Sequence, residues 1–331
     1  MIAAWMLYAV LVSVLVAAAA RGVEEACRVV RLPVRWVWLG ALAVMLALLA
    51  AAPLRPADPV LPVSTRTAAP GGMAGLVRVK EERSLAAGLV AEARSMGRAA
   101  FRGAAEIGEG RGGWMLGAGW AALSLALVAA GAATLGRYRA ARRLWPLRRV
   151  GNTRVRVAPA AGPAVLGVLR PEIVVPAWLL RAAPDQRRLA LMHEREHLAA
   201  RDPLLLAAGC IAVALVPWNP AAWWMLRRLR VAVELDCDAR VLRRGAPRQA
   251  YGLLLIDIAG RGSGLSLGVA AVAGSPSTLE RRLVAMTARF SRVATLRAGL
   301  LGVLGAAALF AACDTQMPTA AEIDALDLSR A

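Results

Sequence analysis

The 331-residue sequence contains only two histidines, and they stand four apart in His193-Glu194-Arg195-Glu196-His197. Residues four apart on a helix lie one turn above each other. Both imidazoles can then offer a nitrogen to one ion, while the glutamate beside the first faces the same pocket. Two neutral imidazoles leave the charge of Zn2+ largely uncompensated, so a bound water is polarised. Glu194 is placed to take that water's proton and pass it to a leaving amine. A surface helix rich in Glu, Arg and His is the plain alternative. Against it stands the confinement of both histidines to this one motif.

Catalytic zinc takes three protein ligands and keeps a fourth position open, so the third must be an acid or a cysteine. The segment Glu234-Leu235-Asp236-Cys237-Asp238 is the best source. Glu234 and Asp238, four apart, share a helical face. Glu234 is expected to ligate, and Asp238 to orient a metal-bound histidine through its second nitrogen. Asp236 points elsewhere, and its loss is expected to matter little. The alternative is an acidic face paired with Arg227, Arg230 or Arg240.

These residues need elements to hold them. From Pro184 the pattern is helical, with proline suited to the first turn and Asp185 near the positive end of the dipole. Residues 204–216 are apolar between Pro203 and Pro217. As a helix they cover about 20 Å, against roughly 30 Å of hydrocarbon, so they do not span alone. Asn219-Pro220 then supplies a cap and a first position for a new helix. A hairpin over 204–244 would return Glu234 to the level of the histidines, whether it enters the membrane or lies inside a polar domain. Short β-like pieces at 153–157, 164–168 and 172–175 precede the helix, punctuated by Pro and Gly.

Hydrophobic residues make up 58% of the chain and the mean hydropathy is +0.53, which excludes an ordinary soluble domain and predicts a membrane protein carrying a polar one. The net charge of +19 is almost entirely arginine, Lys80 being the sole lysine. Juxtamembrane arginines account for the excess, no nucleic-acid motif accompanies it, and direct nucleic-acid binding is not expected. Residues 1–52 are expected to hold two transmembrane helices (2–20 and 36–52), 53–113 an extracytoplasmic loop, and 114–136 a third helix. A zinc metallopeptidase domain over 137–297 should face the cytoplasm, followed by a fourth helix at 298–313 and a short outer tail at 314–331. Arginine clusters at 21–35 and 137–156 set this orientation, making a multi-pass protein of the inner (cytoplasmic) membrane. The Gly- and Ser-rich stretch 260–277 reads as a joint and a candidate for self-cleavage. Cys27, Cys210, Cys237 and Cys313 form no metal or disulfide pattern.

Taken together, HEREH followed by Arg201-Asp202, Asn219-Pro220 with Trp223, then Glu234 and Cys237-Asp238, preceded by Pro171-Glu172-Ile173-Val174-Val175-Pro176, resemble the BlaR/MecR-type antirepressor zinc metallopeptidases over roughly residues 1 to 297. The resemblance implies an α+β fold: a mainly helical, gluzincin-like zinc domain with a small β-sheet, hung on transmembrane helices. It implies zinc ligands at His193, His197 and Glu234, a catalytic base at Glu194, and supporting acids at Asp238 and Asp202. Arg201 stands one position later than the family pattern. Family members with a sensor detect β-lactams outside and cleave a cytoplasmic winged-helix repressor. The SxxK, SDN and KTG elements of that sensor do not occur here, so a β-lactam signal is unsupported. The expected partners are such a repressor as substrate, the lipid bilayer and, as an option, a second copy in a homodimer. The same chemistry could serve membrane-protein quality control. A signalling scaffold with structural zinc is the non-catalytic alternative, and it leaves Glu194 without a role.

Overall fold

The computed structural model describes residues 2–54, 100–101, 103–104, 106, 110–159, 162–261, 276–287 and 292–315. Most of the expected outer loop, residues 262–275 of the joint over 260–277 that is the candidate for self-cleavage, and the tail beyond 315 lie outside the described residues. In chain order the elements are α1 (Ile2–Val29), α2 (Arg35–Ala51), α3 (Gly110–Leu144), β1 (Leu147–Val150), β2 (Thr153–Ala158), β3 (Ala164–Leu166), β4 (Glu172–Pro176), α4 (Ala177–Arg181), α5 (Pro184–Ala199), α6 (Asp202–Leu215), α7 (Pro220–Arg243), α8 (Arg248–Gly260), α9 (Pro276–Thr287) and α10 (Arg292–Asp314). The chain is α+β and mainly helical.

α1, α3 and α10 are long and apolar enough to cross a membrane. α2, at 17 residues, rises about 25 Å, a little short of the hydrocarbon thickness. One core is built by α1, α2, α6 and α7. Tyr8, Val12 and Val16 line one face of α1, Trp38, Leu42 and Met45 one face of α2, and Met225, Leu226 and Leu229 one face of α7. Small residues let these helices close on one another, as in lipid-embedded bundles. A Cβ at Gly209 of α6 would come within 2.8 Å of the Leu229 side chain, and one at Gly22 of α1 would strike the Leu301 carbonyl of α10.

The hairpin of α6 and α7 packs among the apolar helices. Its turn is capped by Asn219, whose Oδ1 accepts from the backbone of Ala221 at 3.0 Å and Ala222 at 3.3 Å. The Asn219 Nδ2 donates to Ser13 Oγ of α1 at 2.7 Å. Trp218, at the tip, meets Trp5 of α1 and Trp120 of α3 edge-on, and those two rings stack at 5.3 Å. From there α7 runs alongside α1 until Arg228 reaches the buried Glu24 at 2.5 Å. Ile211 and Leu215 of α6 stay exposed outward.

The second core lies under a four-stranded sheet of order β1-β2-β4-β3, in which β2 and β4 are parallel and the outer pairs antiparallel. Val155, Ile173 and Val175 pack with Leu179, Leu189, Val241, Tyr251 and Leu254, joining the sheet to α4, α5, α7 and α8. β1, with its two arginines, has no alternation that announces a strand. It pairs because the Gly151-Asn152 turn, with Gly151 at φ +56°, folds it back onto β2. α7 belongs to both cores, and it meets α5, which carries the histidine motif, in the second.

Candidate metal centre

α5 begins as expected, with Pro184 in its first turn and Asp185 beside it. It places His193 and His197 one turn apart, with their Nε2 atoms 3.1 Å from each other. α7 brings Glu234 to the same point: Oε2 lies 3.6 Å from His193 Nε2, and Oε1 lies 3.7 Å from His197 Nε2. Tetrahedral donors at 2.0–2.1 Å from one ion stand about 3.3 Å apart, so the three side chains are spaced to share an ion.

The opposite nitrogens are held from behind. His197 Nδ1 donates to Asp202 Oδ2 at 2.8 Å. The Tyr251 hydroxyl donates to Asp238 Oδ1 at 2.7 Å and so accepts from His193 Nδ1 at 2.8 Å. With these partners engaging Nδ1 of each ring, the neutral form of each imidazole turns its Nε2 lone pair toward Glu234, the tautomer a metal-binding imidazole needs. Asp238 thus acts on His193 through Tyr251, which sequence reasoning missed.

Asp202 reaches His197 because the chain breaks between α5 and α6. Arg201 adopts a left-handed conformation (φ 53°, ψ 35°), a geometry that costs a residue with a Cβ about 1–2 kcal/mol. The two helices bend by 57° there. Asp202 is 1% exposed and is also gripped by Arg240 Nη2 at 3.0 Å and Arg35 Nη1 at 2.9 Å.

A third group arrives from α9. Arg282 forms a fork on Asp238, with Nε to Oδ2 at 2.8 Å and Nη2 to Oδ1 at 2.7 Å, and its Nη1 lies 3.1 Å from Glu234 Oε2. The acidic face is therefore paired with Arg282; Arg240 instead serves Asp202 and Glu196. Burial alone would raise the Glu234 pKa, but Arg282 and the two imidazoles hold it well below the usual carboxylate range. Burial would likewise depress His193, yet Cys237 and Glu234 overcome it and lift it to about 10. The pocket is built to hold positive charge. Glu194 is 4% exposed; its desolvation raises its pKa against the pull of His193 and His197, as suits a proton acceptor near neutrality.

Cys237 belongs to the same cluster, and it too could bring a donor atom within 4.8 Å of one from each histidine. Its Sγ lies 3.3 Å from His193 Nδ1, whereas Glu234 approaches that ring at Nε2, and it interacts with His197 as well. Asp236, as expected, points away from the site, but it is not idle: its carboxylate accepts from the backbone nitrogens of Val34 and Arg35 at 3.1 and 3.0 Å. A cavity of about 460 Å³ between the sheet and α5 is lined by Arg195 and Leu198, on the face of α5 opposite the histidines, and does not include the site.

A pair of histidines on one helix, an acid returned to them by a helical hairpin and a buried glutamate beside the first, set against apolar helices, define a membrane metallopeptidase. The chain belongs to the BlaR1 peptidase family M56, which matches residues 115–286, about half of its length. An 81-residue stretch is 28% identical to Regulatory protein BlaR1 of Bacillus licheniformis, covering 24% of this chain and 14% of that protein.

Proposed function

We propose that the chain is a zinc metalloendopeptidase whose centre lies at the cytoplasmic surface of the inner membrane, and that it cleaves a cytoplasmic winged-helix transcriptional repressor. The observation that carries the reading is the convergence of His193 Nε2, His197 Nε2 and Glu234 on one point, with buried Glu194 alongside. His193, His197 and Glu234 would hold the ion. Zinc bound there would supply a Lewis acid for water and for the scissile carbonyl.

The remaining chemistry belongs to the chain. Glu194 accepts the proton of the attacking water and returns it to the leaving amine. Asp202 fixes the His197 ring, and Asp238 fixes the His193 ring through Tyr251. Arg282 keeps Glu234 ionised and in place. The hairpin, flanked by α1, α2 and α3 with apolar residues turned outward, favours insertion into the lipid, so that Glu234 returns at the membrane surface. The family membership and the relative's name support a regulatory role.

The test compares protein fragments that accumulate in cells carrying the intact chain with those in cells carrying Glu194→Gln. A cleaved DNA-binding repressor is the expected difference. A broad set of unfolded membrane proteins would replace the reading with quality control. Reporters fused near positions 30 and 150 should report cytoplasm, since arginine-rich flanks stay inside.

A further inference from the structure

We propose that Arg35, the first residue of α2, is a positioning residue of the metal centre: through Asp202 it fixes the ring of His197 and makes this apolar helix a structural part of the site. The inference rests on the reading of His193, His197 and Glu234 as ligands.

The argument follows the carboxylate of Asp202. Its Oδ2 takes His197 Nδ1 at 2.8 Å and Arg240 Nη2 at 3.0 Å, while its Oδ1 takes Arg35 Nη1 at 2.9 Å. A carboxylate held at one oxygen can turn about its last bond. Held at both, it presents Oδ2 to the imidazole at a fixed angle. Arg240 cannot replace the second hold, because it approaches the same oxygen as His197 and also pairs with Glu196.

Arg35 is itself anchored to the other arm of the site. Its backbone nitrogen donates to Asp236 Oδ2 at 3.0 Å, and that of Val34 to Oδ1 at 3.1 Å. The start of α2 has no side-chain cap of its own. Asp236 of α7 satisfies two orphan donors there and lays a negative charge on the positive end of the helix. Asp236 is two residues from Glu234. α2 therefore bridges the corner that orients His197 and the helix that carries Glu234. Trp38 and Leu42, at most 1% exposed, bury it against its neighbours, so its start cannot shift without moving one arm against the other.

The full chain in detergent or nanodiscs tests this, with zinc affinity measured by chelator competition and kcat and KM on a fluorescent peptide. Arg35→Gln should weaken zinc roughly tenfold and lower kcat more than KM, as loss of support behind a ligand does. Arg35→Lys should recover part of the affinity, and it serves as the readout if the Gln variant does not fold. In an Asp202→Asn background, Arg35→Gln should cost nothing further, because both act through one contact. Additive losses, or wild-type affinity in Arg35→Gln beside a zinc-free His197→Ala, would overturn this proposal alone. Full zinc occupancy in His197→Ala would instead overturn the ligand assignment, and the proposal with it.

Discussion

Tyr251 stands between Asp238 and His193, its hydroxyl 2.7 Å from the carboxylate and 2.8 Å from the ring nitrogen. Asp238 Oδ1 is itself 3.7 Å from that nitrogen, so the acid steers the imidazole at second hand. Tyr251→Phe keeps the buried ring and removes only the relay. Zinc affinity should drop by about tenfold to a hundredfold, with the thermal unfolding of the metal-free protein little changed. An unaltered affinity in a chelator titration would show that Cys237 alone suffices to hold His193.

The choice of third ligand is open to direct measurement. Glu234→Ala should lose both metal and hydrolysis, and Glu194→Gln should keep metal and lose hydrolysis, since the amide cannot take a proton. Cys237→Ala should keep both, because Glu234 approaches the Nε2 atoms of both rings while the sulfur engages His193 at Nδ1. Metal content by mass spectrometry on the three purified variants decides. Loss of metal in Cys237→Ala with retention in Glu234→Ala would reverse the assignment.

Protons compete with the ion for the same nitrogens. In the metal-free pocket His193 is raised to about 10 and His197 well above its ordinary value, as Cys237, Glu234 and Asp202 outweigh burial. At pH 7 His193 therefore carries a proton that metal must displace. Affinity should strengthen as pH rises toward that value and weaken as it falls, by about tenfold per pH unit for each proton released. Calorimetry in buffers of differing ionisation enthalpy counts the protons. Binding at pH 7 without proton release would contradict the charge balance described.

Arg282 compensates the buried Asp238 and the partly buried Glu234, and removing it leaves both uncovered. Arg282→Met should destabilise the metal-free protein by about 3–5 kcal/mol, the usual cost of breaking a buried pair. Saturating zinc should recover part of the loss, because the ion supplies Glu234 with a new positive partner. Thermal unfolding with and without zinc reads both effects; equal destabilisation in the two states would place the role of Arg282 elsewhere.

The legible part of the site is the part that obeys helical arithmetic. His193 with His197, and Glu234 with Asp238, are four apart and need no knowledge of the rest of the chain. Asp202 is five residues from His197, about 140° round a continuous helix, and meets it only because Arg201 turns left-handed. Arginine does not advertise that conformation, so only the family resemblance pointed to Asp202. Arg35, Tyr251 and Arg282 come from elements far along the chain, where no local spacing marks them. Asp236 is the instructive case: the arithmetic says where it does not point, but not that the start of α2 waits on its other side. The apolar helices were countable, yet their buried faces were not, because a helix in lipid is apolar all round and carries no stripe to read.

The backbone contact of α1 with α10 at Gly22 and Leu301 bears on how the protein comes to exist. The hairpin that carries Glu234 is wedged against α1, and α1 has its other partner in a helix translated some 270 residues later. On the proposed membrane topology, α1 would enter the bilayer with that flank uncovered until α10 emerges. On that reading the bundle closes around α1 only once its last helix is made, and a fragment trimmed to the polar domain would lack α2, whose Arg35 holds Asp202.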